Sequence, residues 1–409
     1  MARAARDASR QIPRHAPGLR LRALDLAAAA LEERAAAILE ANALDVADAH
    51  AGGLSAAMID RLRLDGPRVG AMAAAVRDVA ALPDPVGRVE GTWRRPSGLE
   101  VGRMRIPLGV VLMIYESRPN VTADAAALCL KAGNAVILRG GSEAFRSNTA
   151  IGEAIVGACE AAGLPPASVQ VVPTTDRGAL LELLRRGDEI DLCIPRGGES
   201  LIRFVAENAR MPVVKHYKGV CHVYVDRAAD LAMAVDICEN AKAQRPGTCN
   251  AVETILVHEA VAAEFLPRLA ARLAEAGVEV RADGAARLIV PSFAAATEDD
   301  WSAEYLDFIV ALRLVPDLSA ALAHIDRYGS SHTESIVTRD LGAARRFVGE
   351  CLSSTVMVNA STRLADGGEL GLGAEIGIST SRVHAYGPMG ALELTTTKFF
   401  VFGEGHLRS

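Results

Sequence analysis

The sequence predicts an α/β protein with two doubly wound domains, on three observations. Continuous apolar runs alternate with helical patterns from Leu108 onward, and strands that are apolar throughout are typical of parallel sheets covered by helices on both faces. A second series of the same kind follows residue 250. The length of 409 residues exceeds what one hydrophobic core usually supports. We therefore expect two domains joined by short crossings.

The elements before the first sheet are predicted to be mainly helical. The spacing of apolar residues predicts one long amphipathic helix over residues 24–39, and a second helix-rich stretch covers residues 56–81. Residues 1–22 contain six arginines, one aspartate and two prolines, and we expect a flexible leader there because the segment has no apolar core of a secretory signal. Residues 92–104 are typical of two short strands around a Pro-Ser-Gly turn.

Two alternating series of strands and helices follow. The first series predicts strands at 109–115, 135–138, 169–172 and 191–194, and helices at 123–131, 147–162 and 180–186. The second predicts strands at 251–257, 287–290, 309–315, 335–338 and 355–359, helices at 260–276, 320–328 and 341–351, and a strand-like tail at 392–402. Ligands of parallel sheets bind beyond the carboxyl ends of the strands. In the first series those ends are residues 115–120, 139–142 and 195–200.

Composition excludes several classes of protein. The net charge of −6 argues against a nucleic-acid partner. No apolar stretch approaches the about 18 residues of a membrane span, so no membrane partner is expected. Seven scattered cysteines without CxxC spacing suit free thiols in a reducing compartment. We therefore predict a cytoplasmic protein.

The segment Gln244 to Thr254 carries the strongest chemical signal. It presents Cys249 on a short turn that contains glycine, directly before an apolar run. A thiolate is a nucleophile in acyl transfer, and backbone N–H donors at a turn lower the pKa of a thiol. A free cysteine is more often a small buried hydrophobe, and this segment alone does not decide between the two interpretations.

Two glycine-containing turns follow strands and precede helices. They consist of Arg139, Gly140, Gly141 and Ser142, and of Arg196, Gly197 and Gly198. Backbone approach without side chains, next to a helix N-terminus, suits a nucleotide phosphate, and the second turn is the better pyrophosphate candidate. An arginine after the second strand favours NADP over NAD, because it can hold the 2′-phosphate. A tight turn with a solvated arginine explains the first turn equally well, and no GxGxxG fingerprint follows the first strand.

The sequence predicts no metal site. His216 and His222 flank a Lys-Gly pair and would share one face of a strand. Because no third ligand stands near them in the sequence, we interpret them as core or edge histidines.

Several segments together resemble one family, gamma-glutamyl phosphate reductase, a divergent branch of the aldehyde dehydrogenase superfamily. The segments are Ile106–Val110, Ile114–Thr122, Ala132–Ser142, Ile194–Gly198, Gly219–Val225, the Cys249 segment and Ile376–Thr380. The resemblance runs in order from about Leu24 to Phe402.

The resemblance implies NADPH-dependent reduction of L-glutamyl 5-phosphate to L-glutamate 5-semialdehyde in proline biosynthesis. It implies that Cys249 forms a thioester, and that Ser117, at the position of the superfamily's asparagine, or Asn120 supplies the second oxyanion donor. Residues 215–220 lack the glutamate with which hydrolytic relatives activate water. This departure favours acyl phosphate chemistry, because a water-activating base would waste the thioester.

The remaining site residues implied by the resemblance are less specific. Arg118, Ser379, Thr380 and His384 are expected to contact the substrate, since arginine suits carboxylate or phosphate. Glu304 is expected to contact the nicotinamide ribose. An arginine that closes a strand, and hydroxyls that satisfy a loop, are the structural alternatives.

The resemblance also implies an aldehyde dehydrogenase-like domain organisation. An NADP-binding domain is expected at 1–91, 106–226 and 360–390, a catalytic domain at 227–359, and a small β flap for oligomerisation at 92–105 and 391–409. We expect a homo-oligomer, with glutamate 5-kinase as a candidate partner. Two rival hypotheses are a relative that uses coenzyme A as acyl acceptor and a catalytically silent scaffold protein.

Overall fold

The computed structural model describes residues 1–382 and 385–408. The helices in these residues are α1 (Ala2–Gln11), α2 (Pro17–Glu33), α3 (Ala35–Ala51), α4 (Ala56–Leu62), α5 (Gly66–Ala81), α6 (Asn120–Lys131), α7 (Phe145–Ala162), α8 (Arg177–Leu184), α9 (Glu199–Asn208), α10 (Leu231–Ala243), α11 (Glu259–Glu275), α12 (Gly284–Ile289), α13 (Leu318–Tyr328) and α14 (Leu341–Glu350). None of these described helices has the length and apolar character needed to cross a membrane.

The strands of the described residues are β1 (Val89–Arg94), β2 (Glu100–Pro107), β3 (Val110–Tyr115), β4 (Ala135–Gly140), β5 (Val169–Val171), β6 (Leu192–Arg196), β7 (Cys221–Val225), β8 (Val252–His258), β9 (Glu279–Ala282), β10 (Ala294–Ala295), β11 (Ile309–Val315), β12 (Thr333–Val337), β13 (Thr355–Val358), β14 (Gly377–Ser379), β15 (Gly387–Met389) and β16 (Thr395–Phe402).

The chain divides into two compact units. Unit 1 contains Met1–Lys215, Gly371–Ile378 and the C-terminal residues from Met389, and unit 2 contains His216–Leu370 and Ser379–Pro388. The predicted boundary after residue 226 is therefore corrected to 215, because β7 pairs with β8 and β12 in the sheet of unit 2. Most of the segment 360–390, expected in the first domain, likewise belongs to unit 2.

The main sheet of unit 1 has four parallel strands in the order β5-β4-β3-β6. Every residue of β3 is buried, which explains its unbroken apolar sequence. In the register of this sheet, Tyr115 pairs with Gly140 of β4 and with Arg196 of β6. The turns that follow these three strands therefore start at the same edge of the sheet.

The expected flexible leader is wrong, because residues 2–11 form helix α1. Its buried alanines and Ile12 belong to the core cluster of unit 1, and the Arg6 guanidinium binds the Asp191 carboxylate with N···O distances of 2.7 and 3.0 Å. Asp191 also accepts a hydrogen bond from the backbone N–H of Val110, so the helix is tied to the start of the central strand. The predicted helix over residues 24–39 is two helices, α2 and α3, which meet at Arg34.

Replacement of Ile12 with alanine tests whether α1 is an integral part of unit 1. Ile12 is fully buried, so we expect a loss of about 2–5 kcal/mol in the free energy of unfolding, measured by urea denaturation. Gln11→Ala, at an exposed neighbouring position, is the control and should change this free energy by less than about 0.5 kcal/mol. Equal stability of the two variants would restore the flexible-leader interpretation.

The predicted hairpin and strand-like tail pair with each other. Strands β1, β2 and β16 form an antiparallel sheet, with β2 in the centre. Trp93 and Phe399 are exposed on this sheet and contact each other edge to face, at 6.2 Å between ring centroids. The hairpin is confirmed, and its role in oligomerisation stays a prediction.

The sheet of unit 2 has seven parallel strands in the order β10-β9-β11-β8-β7-β12-β13. The strand predicted at 287–290 is wrong, because most of this segment belongs to helix α12, whose first turn is capped by the Asp283 side chain. The strand lies earlier, at Glu279–Ala282, with Val280 and Ala282 buried. A short apolar run such as 287–290 does not distinguish a strand from a helix by periodicity.

Candidate active site

Side-chain hydrogen bonds fix the turn that presents Cys249 in unit 2. The Thr248 hydroxyl donates to the Arg245 carbonyl at 2.9 Å, and the Asn250 amide donates to the Ala365 carbonyl at 3.1 Å. Asn250 is buried, whereas Cys249 is partly exposed. The other six cysteines are buried, and burial raises the pKa of every one of those thiols. Cys249 is therefore the accessible thiol of the chain.

The backbone of Gly219 lies directly against the backbone of Cys249. A Cβ atom at position 219 would lie 2.0 Å from the Cys249 carbonyl oxygen, so only glycine fits there. The buried Cys221 thiol donates to the same carbonyl at 3.2 Å. Gly219 and Cys221, at the start of β7, thus pack directly against the backbone of the Cys249 turn.

Gly219→Ala is expected to displace the Cys249 turn. The clash is with main-chain atoms, which cannot rotate away, and a shift of about 1 Å at a reacting group can cost on the order of 100-fold in rate. We expect kcat/KM to fall by about that factor. Gly284→Ala, where the added methyl meets open space in the same unit, is the control. An unchanged kcat/KM in the Gly219 variant would show that the position of the turn is not critical.

Two histidines approach the Cys249 thiol. Cys249 Sγ and one ring nitrogen each of His216 and His332 all lie within 4.8 Å of one another, and the centroids of the two rings are 5.0 Å apart. Burial, and to a smaller extent the neighbouring His216, lowers the pKa of His332 to about 3, so its ring is neutral at pH 7. His332 Nδ1 lies 2.8 Å from the Thr333 hydroxyl, and Nε2 has no hydrogen-bond partner.

These positions correct the interpretation of His216 and confirm that of His222 as a core histidine. His216 precedes β7 and is not a strand residue, whereas His222 is fully buried and its Nδ1 lies 2.8 Å from the Glu334 carboxylate. His332 escaped the sequence analysis because it stands far from Cys249 along the chain. It lies just before β12, and β12 and β8 both neighbour β7. Cys249, Gly219 and His332 thus come together at the amino ends of three parallel strands.

The structure also brings Glu304 to the Cys249 turn. Its carboxylate accepts a hydrogen bond of 2.7 Å from the Gly219 N–H. Ser379 hydrogen-bonds within its own turn, to the Ser381 carbonyl at 3.0 Å, and Thr380 follows it. His384 lies outside the described residues.

In unit 1 the loop after β3 and the two glycine turns start at the carboxyl edge of the four-stranded sheet, where the backbone N–H groups of Ser117 and Gly198 bind carboxylates. The backbone N–H and the hydroxyl of Ser117 donate to Glu143 Oε1 at 2.5 and 3.0 Å. The same oxygen would lie 2.2 Å from a Cβ atom on Gly141. The Gly198 N–H, at the start of α9, donates to the Glu116 carboxylate at 3.2 Å. The loop after β3 and the turn at Gly198 therefore bind anions, as a phosphate site requires.

Glu116 and Glu143 are not among the site residues that the sequence predicts. Both acids stand next to predicted site residues in the chain, yet nothing in their spacing shows that they fold onto the glycine turns. A Cβ atom on Gly197 would lie 2.4 Å from the Glu116 carboxylate, so glycine is needed there for this contact.

The other predicted residues of unit 1 have mixed surroundings. Arg139 donates to the carbonyls of Gly140 and Thr175, while its Nε is buried without a hydrogen-bond partner. Arg196 lies 3.7 Å from the Glu375 carboxylate. The Asn120 amide donates to Asp124 at 2.9 Å. Arg118 and Ser142 are exposed at the same edge, after β3 and β4.

Comparisons with known proteins agree with this architecture. Residues 1–288 match the model of the aldehyde dehydrogenase family. The curated gamma-glutamyl phosphate reductase of Anaeromyxobacter sp. (strain Fw109-5) is 58% identical to this chain, and the match covers 100% of this chain and 96% of the relative. That of Xanthomonas axonopodis pv. citri (strain 306) is 56% identical, and the match covers 98% of this chain and 97% of the relative. The crystal structure of the gamma-glutamyl phosphate reductase of Thermotoga maritima is 47% identical, with a TM-score of 0.97 over 100% of this chain and 99% of that chain. An acetylating aldehyde dehydrogenase of Geobacillus thermoglucosidasius is 17% identical, with a TM-score of 0.69 over 100% and 96% of the two chains, and shares the fold.

Proposed function

The chain belongs to the gamma-glutamyl phosphate reductases of the aldehyde dehydrogenase family, and from that premise we propose that it reduces L-glutamyl 5-phosphate to L-glutamate 5-semialdehyde with NADPH. The observation that carries the proposal is the accessible Cys249 thiol on a fixed turn, with two imidazoles within 4.8 Å. We place the reaction in proline biosynthesis and the protein in the cytoplasm.

Cys249 is the nucleophile in this proposal. Its thiol proton passes to a base, the sulfur attacks the acyl carbon, and the bond from that carbon to the phosphate oxygen breaks with release of phosphate. The base is His216 and not His332, because a group with a pKa of about 3 is a poor base at neutral pH. The proton on His216 then passes to the departing phosphate, so the thioester forms without net proton uptake. The buried, neutral His332 positions the neighbouring ring.

The thioester requires stabilisation of an oxyanion and protection from water. The donors we assign are the Cys249 N–H and a side chain, either Ser117 or Asn120. NADPH, when bound, supplies the hydride that reduces the thioester. Collapse of the resulting thiohemiacetal releases the aldehyde and the Cys249 thiolate, which takes up one proton from solvent to restore the thiol. Residues 215–220 carry no carboxylate, and the Glu304 carboxylate nearby accepts the Gly219 N–H, which favours a supporting role for it over water activation.

The glycine turns of unit 1 fit a dinucleotide. The Gly198 N–H binds the Glu116 carboxylate, and a cofactor phosphate can take the place of this anion. The Glu143 carboxylate, which the Ser117 N–H binds, lies against Gly141. Arg196, Gly197 and Gly198 would hold the pyrophosphate, and Arg139, Gly140, Gly141 and Ser142 the adenosine part. For Glu304, the ribose contact implied by the resemblance stays part of the proposal. Arg118, Ser379, Thr380 and His384 remain the proposed substrate contacts.

A basic pair beside the first turn is proposed to select NADPH over NADH. Arg139 donates to the Thr175 carbonyl, and burial lowers the pKa of Arg139, as does the positive charge of Arg177. Arg177 is exposed at the start of α8. Two cations with donors to spare suit the 2′-phosphate.

Arg177→Ala tests this cofactor preference. Loss of one charged hydrogen bond to the 2′-phosphate is expected to raise the KM for NADPH about 10-fold, and the KM for NADH by less than about 2-fold. Arg185→Ala, at the exposed end of the same helix, is the control. An equal rise in the KM for NADPH and the KM for NADH would mean that Arg177 does not bind the 2′-phosphate.

The experiment that tests the function is the reverse reaction. We expect NADPH to appear from glutamate 5-semialdehyde and NADP⁺ only when inorganic phosphate is present, because phosphate must cleave the thioester. NADPH formation that requires coenzyme A in place of phosphate would support the rival acyl acceptor. Absence of any reaction in folded protein, together with no binding of NADPH, would support the scaffold hypothesis. A homo-oligomer built on the β1-β2-β16 sheet, and a functional link to glutamate 5-kinase, are further parts of the proposal.

A further inference from the structure

The cluster of Cys249, His216 and His332 has a second chemical capacity. We propose that it is a reversible inhibitory site for Zn²⁺. The binding of zinc rests on these three side chains alone, whereas inhibition rests on the proposed role of Cys249 as nucleophile. No ligand of the site comes from outside unit 2.

The three ligand atoms are close to the spacing that a zinc ion requires. With Zn–S bonds of about 2.3 Å and Zn–N bonds of about 2.0–2.1 Å, tetrahedral geometry separates the ligand atoms by roughly 3.5 Å. The ligand atoms of Cys249, His216 and His332 lie within 4.8 Å of one another, so the most distant atoms must approach by about 1 Å to bind one ion. Cys249 and His216 are only partly buried, so rotation about their side-chain bonds can supply this approach while the buried His332 stays fixed.

His332 has the hydrogen-bonding pattern of a metal ligand. Its Nδ1 is engaged by the Thr333 hydroxyl at 2.8 Å and lies 3.6 Å from the Cys221 thiol. Its Nε2 is buried and has no hydrogen-bond partner, an arrangement that is costly unless a ligand completes it. A second-shell contact to one ring nitrogen, with the other left for the metal, is the usual arrangement of zinc-binding histidines.

The ligand set selects the ion. One thiolate and two imidazoles suit Zn²⁺ and similar borderline-soft cations, while Mg²⁺ and Ca²⁺ prefer oxygen ligands. Three protein ligands leave the fourth position open for water. Binding releases the Cys249 proton to solvent and commits the sulfur lone pair to the metal, so the sulfur can no longer attack an acyl carbon.

The surroundings favour reversible binding over a permanent structural site. The positive charge of Arg363 interacts with Cys249 and opposes a nearby dication. The cysteine turn is held by its own side-chain hydrogen bonds, from Thr248 to the Arg245 carbonyl and from Asn250 to the Ala365 carbonyl. We therefore expect zinc to act on the reactive group and not on folding.

Zinc binding is tested on the full chain after removal of metals by a chelator. Titration with ZnCl₂ against a chromophoric chelator should give one ion per chain at micromolar Kd or tighter, and Co²⁺ should give a thiolate charge-transfer band. Loss of a residue that only hydrogen-bonds to a metal ligand lowers metal affinity by about 10–100-fold. Cys249→Ser and His332→Gln each remove a ligand itself, so each should weaken zinc binding by more than this. If His332→Gln does not fold, His216→Gln replaces it.

Two control variants test whether the loss of any thiol or any imidazole in unit 2 would weaken zinc binding. Cys351→Ala removes a buried cysteine of the same unit, and His258→Asn removes a histidine while keeping a side chain that can cap α11. Both should bind zinc as the unmodified protein does. Equal zinc affinity in Cys249→Ser and the unmodified protein would overturn the inference.

Inhibition is measured in the reverse reaction at micromolar zinc, with recovery after addition of EDTA. We expect the rate to fall at least 10-fold at saturating zinc and to return fully. Absence of zinc binding in a protein whose activity depends on Cys249 would refute this inference alone. Stoichiometric zinc binding in a protein whose activity survives Cys249→Ser would refute the proposed function and leave the metal site standing.

Discussion

Replacement of Cys249 with alanine is expected to lower kcat of the phosphate-dependent reaction by on the order of 10⁴-fold or more. The other six cysteines are buried, so none can take over as nucleophile. Since Cys249 is only partly buried and alanine is a smaller side chain, we expect the variant to unfold at nearly the same urea concentration as the unmodified protein. Initial rates of NADPH formation give the measurement.

Two companion variants separate nucleophilicity from packing. Cys249→Ser keeps the shape of the side chain but has a hydroxyl of far higher pKa, so we expect it to be almost as inactive as the alanine variant. Cys351→Ala removes a buried thiol of the same unit and should retain the rate of the unmodified protein. A Cys249→Ala variant with a tenth or more of the original kcat would exclude the thioester route.

The second large effect is expected at a buried ion pair in unit 2. Lys242 Nζ and Glu253 Oε2 are 2.6 Å apart, and both side chains are fully buried. Burial raises the pKa of Glu253 to about 7, although Lys242 opposes this shift. Burial likewise lowers the pKa of Lys242, and Glu253 opposes that shift. Glu253→Gln leaves a buried ammonium without its counter-charge and should cost about 3–5 kcal/mol in the free energy of unfolding.

The double variant Lys242→Met/Glu253→Leu provides the contrast. It removes both charges and fills similar volume with apolar atoms, so its stability should lie within about 1 kcal/mol of the unmodified protein or exceed it. Urea denaturation of the three proteins measures the effect. A Glu253→Gln variant that loses less than about 1 kcal/mol would mean that Lys242 sheds its proton in the folded state at little cost.

The strands of both sheets could be predicted because each is buried on two faces. The run from Val110 to Tyr115 has no polar residue, and a run of this length is typical of the centre of a parallel sheet. Helix α1 could not be predicted in the same way. Its buried residues are three alanines and Ser9, set among arginines. Because alanine and serine are weakly hydrophobic, the charged residues dominate the sequence pattern of this segment.

The candidate site likewise has one part that could be predicted from the sequence and one part that could not. The turns of unit 1 follow strands, and the rule that ligands bind at carboxyl ends directs attention to Ser117, Gly141 and Gly198. His332 precedes its strand and neighbours Cys249 only because β7 lies between β8 and β12. Strand order in a sheet is set by long-range packing and leaves no mark in local sequence.

The pairing of β16 with β2 has a consequence for synthesis of the chain. Strand β2 leaves the ribosome after about a quarter of the sequence, but its second edge is covered only by residues 395–402. The buried Asn134 amide likewise donates a hydrogen bond to the Leu394 carbonyl, which is synthesised much later. Unit 2, whose main segment is the continuous stretch His216–Leu370, emerges in the interval. A nascent chain therefore carries an open strand edge until residues 395–402 have emerged, and a product truncated before them is able to recruit foreign strands.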